Sequence, residues 1–126
     1  MKLGLEGKRA LVIGASKGLG AAIAVALANE GANVIGAARS TDAIRALNEK
    51  LEAGAEGRIS SVGLDLADPG SVTRLIAALE AEGGVDVVVN NSGGPPPGEA
   101  QSTEAATFEK QFAVMVSPLI AITQAM

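Results

Sequence analysis

The stretch LVIGASKGLG, residues 11–20, changes character twice within ten positions. It completes RALVIG, residues 9–14, a short continuous apolar run closed by glycine, which is the pattern of a strand buried on both faces. From Leu19 onward apolar residues recur every fourth position, at Ile23 and Leu27, until Gly31 stops the run, which is the pattern of a helix. Between strand and helix stand Gly14, Gly18 and Gly20, with Lys17 set among them. A turn so poor in side chains lets a bound group approach the backbone, and the helix N-terminus beyond it offers unpaired N–H donors and partial positive charge. The ligand it suits is an anion such as a pyrophosphate. The spacing G-x-x-x-G-x-G differs from the phosphate loop ending in Gly-Lys-Ser/Thr and from the commoner G-x-G-x-x-G. By itself it reads equally well as a structural turn before a tightly packed helix.

Downstream the alternation continues without sequence repetition. ANVIGAA, residues 32–38, is a second strand, followed by Ser40, Thr41 and Asp42 as candidate caps and by a helical stripe of Ile44, Leu47 and Leu51. RISSVGLDL, residues 58–66, is a third and weaker strand. Asp68 before Pro69 makes a cap and first-turn pair. Val72, Leu75, Ile76 and Leu79 form the next helical face, stopped by Gly83 and Gly84, and VDVVVN, residues 85–90, is the fourth strand. The cluster SGGPPPG forces a loop. Residues 102–126 can form a last helix with Phe108, Phe112, Met115, Leu119 and Ile122 on one face, bent or split by Pro118. Strands alternating with helices of this length predict βαβ units with right-handed crossovers, hence a doubly wound, Rossmann-like α/β parallel sheet. The 126 residues suffice for a single domain, and no linker divides them.

Composition narrows the chemistry. Hydrophobic residues make up 48% of the chain, yet it holds no Trp or Tyr and two Phe beside sixteen Gly, so the core must be built from small aliphatic side chains. With neither Cys nor His, disulfides, thiol catalysis, zinc chemistry and histidine bases are excluded. The net charge of −4 comes with no basic run, which argues against nucleic acid and anionic membrane as partners. No apolar leader opens the chain, and runs such as FAVMV are far shorter than a membrane span, so a cytoplasmic location is expected.

In this context GASKGLG resembles the cofactor loop of the short-chain dehydrogenases/reductases. NNSG, residues 90–93, resembles that family's Asn-Asn-Ala-Gly motif; LDL, residues 64–66, and AARS, after the second strand, match as well, in the same order. The resemblance implies a dinucleotide site. Gly14, Gly18 and Gly20 would line the pyrophosphate, with Ser16, Lys17 and Leu19 in the same loop. Asp65, followed by Leu66, would hydrogen-bond the adenine amine, and Asn90 with Gly93 would flank the adenosine ribose, with Asn91 and Ser92 between them. Asp65 reads alternatively as a loop or helix cap. A dinucleotide site selective for NAD places an acid about 20 residues beyond the glycine loop, whereas an arginine there accommodates a 2′-phosphate. Here Arg39 and Ser40 follow the second strand, with no acid before Asp42 and with Lys17 able to approach the same phosphate, so NADP is the expected cofactor. The alternative for Lys17 and Arg39 is two solvated surface cations.

Family members use a tyrosine as proton donor in a Tyr-x-x-x-Lys motif, and this chain contains no tyrosine. A helix asparagine that positions a water in the family's proton relay aligns with Met115, which reads as a packing residue unless the register is off by one or two. These departures predict the N-terminal, cofactor-binding part of an NADP-dependent oxidoreductase acting on a carbonyl or alcohol, truncated after the fourth strand and its following helix and inactive by itself. A catalytically inactive NADP(H)-binding module and a nucleotide-free partner-binding domain are the alternatives. The resemblance also implies a homo-oligomer, because the helix after Asn-Asn-Ala-Gly lies at a subunit interface in many members and carries more apolar surface than one sheet contact covers.

Overall fold

Four strands and five α-helices follow one another in the computed structural model, which describes residues 3–91 and 104–126. They are β1 (Arg9–Ile13), α1 (Gly18–Asn29), β2 (Asn33–Ala38), α2 (Thr41–Ala46), β3 (Arg58–Gly63), α3 (Pro69–Ala81), β4 (Val87–Val89), α4 (Ala105–Met115) and α5 (Ser117–Ala125). A 3-10 turn, Leu47–Lys50, prolongs α2. The expectations for Ser92, Gly93, the proline-rich loop, Ser102 and the Phe108 side chain lie outside the described residues.

All strand pairings are parallel, in the order β3-β2-β1-β4. Val12 of β1 stands opposite Gly36 on one side and Val89 on the other. The chain therefore winds outward from β1 to β2 and β3, then crosses back to β4. That reversal between β1 and β4 is the switch point where doubly wound sheets open a crevice beyond the carboxyl ends of their strands.

The period of two along each strand divides the core into two layers. Val12, Val34 and Ile59 pack under Ala24 and Ala28 of α1 and Ile44 of α2, while Leu11 and Ile13 face Val72, Leu75 and Leu79 of α3 and Ile122 of α5. Each fully buried Leu, Ile or Val contributes about 1.5–3 kcal/mol. The small-aliphatic core predicted from composition is what the structure holds.

Several local readings shift in the folded chain. The predicted Leu19-Ile23-Leu27 stripe of α1 is not the buried one: Gly20, Ala24 and Ala28 face the sheet, Leu19 is 70% exposed, and Ile23 and Leu27 only flank the core. Small residues win that face because they let the helix axis approach the strands closely, which a leucine would prevent. The second helix changes pitch after Ala46, β3 ends at Gly63 rather than at residue 66, and β4 shortens to three residues. As predicted, Asp68 caps α3, its Oδ1 accepting from Gly70 N–H at 3.0 Å with Pro69 in the first turn. Pro118 also acts as predicted, since the last helix breaks at Val116 (φ −114°, ψ −55°) into α4 and α5. Of the proposed apolar face, Ile122 is buried, Leu119 flanks the core and Phe112 is 57% exposed. The segment Ala105–Ala125 is long enough to cross a membrane and holds an 18-residue window of mean hydropathy 1.2, which short apolar runs alone do not reveal. Here it is bent and docks on the sheet through Ile122.

Arg9 sets β4 in place. Its guanidinium donates to the carbonyls of Glu82, at 2.7 Å, and Gly84, and pairs with the Glu82 carboxylate at 2.8 Å. Its backbone N–H donates to Asp86 Oδ2 at 2.9 Å. The end of α3, the glycine turn and the entry to β4 are thereby tied to the first residue of β1.

Candidate functional site

The three glycines of the first turn answer to three different demands. Gly14 takes φ +73°, and a Cβ there would lie 2.8 Å from Asn91 Nδ2 and 3.0 Å from the Asn91 carbonyl. Gly20, inside the first turn of α1, faces Gly14 so closely that a Cβ would stand 2.1 Å from the Gly14 oxygen. Gly18 takes φ +61°, with nothing within 4 Å of the point a Cβ would occupy. Gly14 and Gly20 thus serve the protein's own packing, and Gly18 borders open space. Its left-handed backbone favours glycine, and the space beside it is open to a bound group at the start of α1.

Lys17 caps α1 in an extended conformation (φ −159°, ψ 171°) without a side-chain capping bond, and no acid stands in the helix's first turn. The helix donors therefore face an unneutralised opening, which favours an anion. Lys17, Arg39 and Ser40 are all exposed, and neither Lys17 nor Arg39 joins an ion pair among the described residues. Asp42, the first acid after β2, is paired with Arg45, whose guanidinium also donates to Ser61 Oγ at 3.1 Å. Ser16 is half-buried in the loop.

At the end of β3 the ladder continues one residue, with Leu64 N–H donating to the Ala38 carbonyl at 3.0 Å. Asp65 follows, exposed, with Oδ1 accepting from Ala67 N–H at 3.0 Å. The loop-cap role is therefore real, and it occupies one carboxylate oxygen. Leu66 packs against the core layer of α3.

The two asparagines after β4 diverge. Asn91 Nδ2 donates to the Gly14 carbonyl at 3.3 Å and so closes the glycine turn from a position 77 residues away. Asn90 Nδ2 donates instead to Thr123 Oγ1 at 3.1 Å, and that hydroxyl donates to the Leu119 carbonyl at 2.7 Å, which ties β4 to α5. Met115, at the end of α4, is half-buried and borders an apolar groove of about 420 Å³ beside Asn90, Leu119 and Thr123. Ser16, Lys17, Arg39, Ser40, Asp65 and Asn91 all follow carboxyl ends of parallel strands, so the topology gathers them along one edge of the sheet. Sequence reasoning missed Arg9, and it missed Ser71, whose Oγ accepts from the Asp65 N–H at 2.9 Å. A signal existed for Ser71, which heads the stripe Ser71-Leu75-Leu79 as its one polar member.

A glycine turn between a parallel strand and a helix N-terminus, beside the switch point of the sheet, is the arrangement found in dinucleotide-binding α/β folds. Residues 8–126 match the short chain dehydrogenase family, and the chain belongs to it. It is 39% identical over 122 residues to an uncharacterized oxidoreductase of Mycobacterium tuberculosis, covering 96% of this chain and 46% of that protein. It is 44% identical over 92 residues to the 3-oxoacyl-[acyl-carrier-protein] reductase FabG of Escherichia coli, covering 72% of this chain and 36% of that one. Among solved structures, L-sorbose reductase from Gluconobacter frateurii, complexed with NADPH and L-sorbose, superposes with a TM-score of 0.85 at 27% identity over 100% of this chain and 48% of the reductase. A 3-oxoacyl (acyl-carrier-protein) reductase from Agrobacterium tumefaciens with NADP bound gives 0.82 at 30% identity over 96% and 46%. The chain spans about half, or less, of the length of these relatives.

Proposed function

We propose that residues 1–126 form one dinucleotide-binding domain that holds NADP(H) for an oxidoreductase acting on a small carbonyl or alcohol substrate. The observation that carries this reading is the open space beside Gly18 at the N-terminus of α1, with Lys17 next to it and Arg39 after the neighbouring strand β2, neither cation in an ion pair among the described residues, while Asp42, the first acid after β2, is paired with Arg45. Relatives solved with NADPH or NADP support it.

The bound cofactor supplies the hydride. The chain's own residues bind and orient it: the α1 N-terminus and the glycine turn receive the pyrophosphate, Asn91 braces that turn, Lys17, Arg39 and Ser40 receive the 2′-phosphate, and Asp65 receives the adenine. No tyrosine is among these residues to donate the proton, so these 126 residues alone give no carbonyl reduction. The exposed stripe Phe112, Val116 and Ile120 supports self-association through α4 and α5. A cytoplasmic protein that works on small molecules rather than nucleic acid or membrane is part of this proposal, and the net charge of −4 without a basic run supports it.

Titration of the reduced-nicotinamide fluorescence tests the assignment. One charge-assisted hydrogen bond to the 2′-phosphate gives NADPH about tenfold tighter binding than NADH, and Arg39→Asp removes most of that preference. Equal affinities of the unaltered chain for the two cofactors would refute it.

A further inference from the structure

Among the described residues one polar side chain, Ser71 at 8% exposure, is buried in the core. It occupies the first place of the α3 stripe continued by Leu75 and Leu79, a position where helical amphipathicity by itself calls for an apolar residue. Its hydroxyl has a partner: Ser71 Oγ accepts from the backbone N–H of Asp65 at 2.9 Å. The Asp65 carbonyl in turn accepts from Asp68 N–H at 3.0 Å, and the preceding residue is held to β2 through Leu64 N–H and the Ala38 carbonyl. Oδ1 of Asp65 is taken by Ala67 N–H. The backbone is thus held at donor and acceptor, one carboxylate oxygen is engaged, and Oδ2 accepts no hydrogen bond among the described residues.

We propose that Ser71 is a positioning residue for the adenine end of the cofactor. Through the Asp65 N–H it holds the Asp65 carboxylate so that Oδ2 accepts from the adenine 6-amino group. The inference rests on the NADP reading above. A merely structural Ser71 would satisfy a buried N–H and stabilise the β3–α3 turn, with no consequence for which base the site prefers. The two roles separate on a cofactor that lacks the amine.

Nicotinamide hypoxanthine dinucleotide phosphate in its reduced form carries a carbonyl oxygen where adenine has the amino group, and it is the probe for this contact. Fluorescence titration should show the unaltered chain binding NADPH about tenfold more tightly than the hypoxanthine analogue. Ser71→Ala should erase most of that ratio by weakening NADPH alone, and Ser71→Thr, which keeps the hydroxyl, should preserve it. Should Ser71→Ala fail to fold, Ser71→Cys, with its poor acceptor, takes its place. A ratio retained in the Ala or Cys variant, even with a lowered Tm, overturns the positioning role. An unaltered chain that binds both dinucleotides equally also overturns it while leaving the NADP reading intact. A chain that binds neither dinucleotide overturns both.

Discussion

Replacing Gly20 with alanine adds a single methyl group where the structure leaves no room for one. The new Cβ would stand 2.1 Å from the Gly14 oxygen and 2.8 Å from both the Gly14 carbonyl carbon and Asn91 Nδ2. The first of these is about 1.3 Å short of the 3.4 Å at which ordinary contact begins. Two of the three opposing atoms are backbone, so no side-chain rotation relieves the overlap; α1 must lift from the end of β1, and the Asn91–Gly14 hydrogen bond must lengthen. Overpacking of this kind costs about 3 kcal/mol, the upper end of the usual range, and in a chain of this size that is roughly 10 °C in Tm. Gly63 is the matched control, since nothing lies within 4 Å of a Cβ there and its φ is not positive. Thermal unfolding followed by circular dichroism should therefore show Gly20→Ala strongly destabilised and Gly63→Ala within about 0.5 kcal/mol of the parent. Equal Tm values for the two variants would refute the assignment of Gly20 to packing between the turn and the helix.

Other perturbations follow from the same contacts. Arg9→Met removes the guanidinium from two carbonyls and from Glu82; it should cost about 1–3 kcal/mol in denaturant unfolding and accelerate amide exchange in β4 more than in β2. Asn48 works like a short piece of strand at the free edge of β3, its Nδ2 donating to the Ile59 carbonyl at 2.7 Å and its Oδ1 accepting from Ile59 N–H at 2.9 Å. Asn48→Ala should expose that edge and promote self-association, measured by light scattering after size exclusion. Phe112→Glu with Ile120→Lys removes exposed apolar surface without touching the core and should weaken assembly. Ile122→Lys, by contrast, buries a charge beneath the sheet and should prevent folding. A chain that remains a monomer at high micromolar concentration before any substitution would count against the α4–α5 surface as an interface.

Local patterns carried most of the fold. The run RALVIG ended by glycine, the Asp68-Pro69 pair and the break at Pro118 each act within a few residues, so their physical effect is legible where they stand. The α1 stripe was harder, because leucine and isoleucine at a spacing of four outrank alanine in any hydropathy reading. The sheet nevertheless takes the Gly20-Ala24-Ala28 face, since only small residues permit the close approach. The residues of the proposed site divide the same way. The glycine turn, Lys17, Arg39 and Asp65 are recognisable from spacing and resemblance. Their partners are not, because nothing local to Ser71 or Asn91 says which backbone group each will meet.

The order of strands and helices, the small-residue core and the likeness to short-chain dehydrogenases/reductases are thus properties of the sequence by itself, since they depend on periodicity and on motifs a few residues long. Tertiary structure decided that Asn91 braces Gly14 from 77 positions away, that Arg9 secures β4, that Asp42 is occupied by Arg45 beside Ser61, and that Asn90 turns to Thr123. These meetings depend on the crossover connections that lay distant strands side by side. A crossover brings together whatever stands at two strand ends, and no pattern within either segment encodes the other.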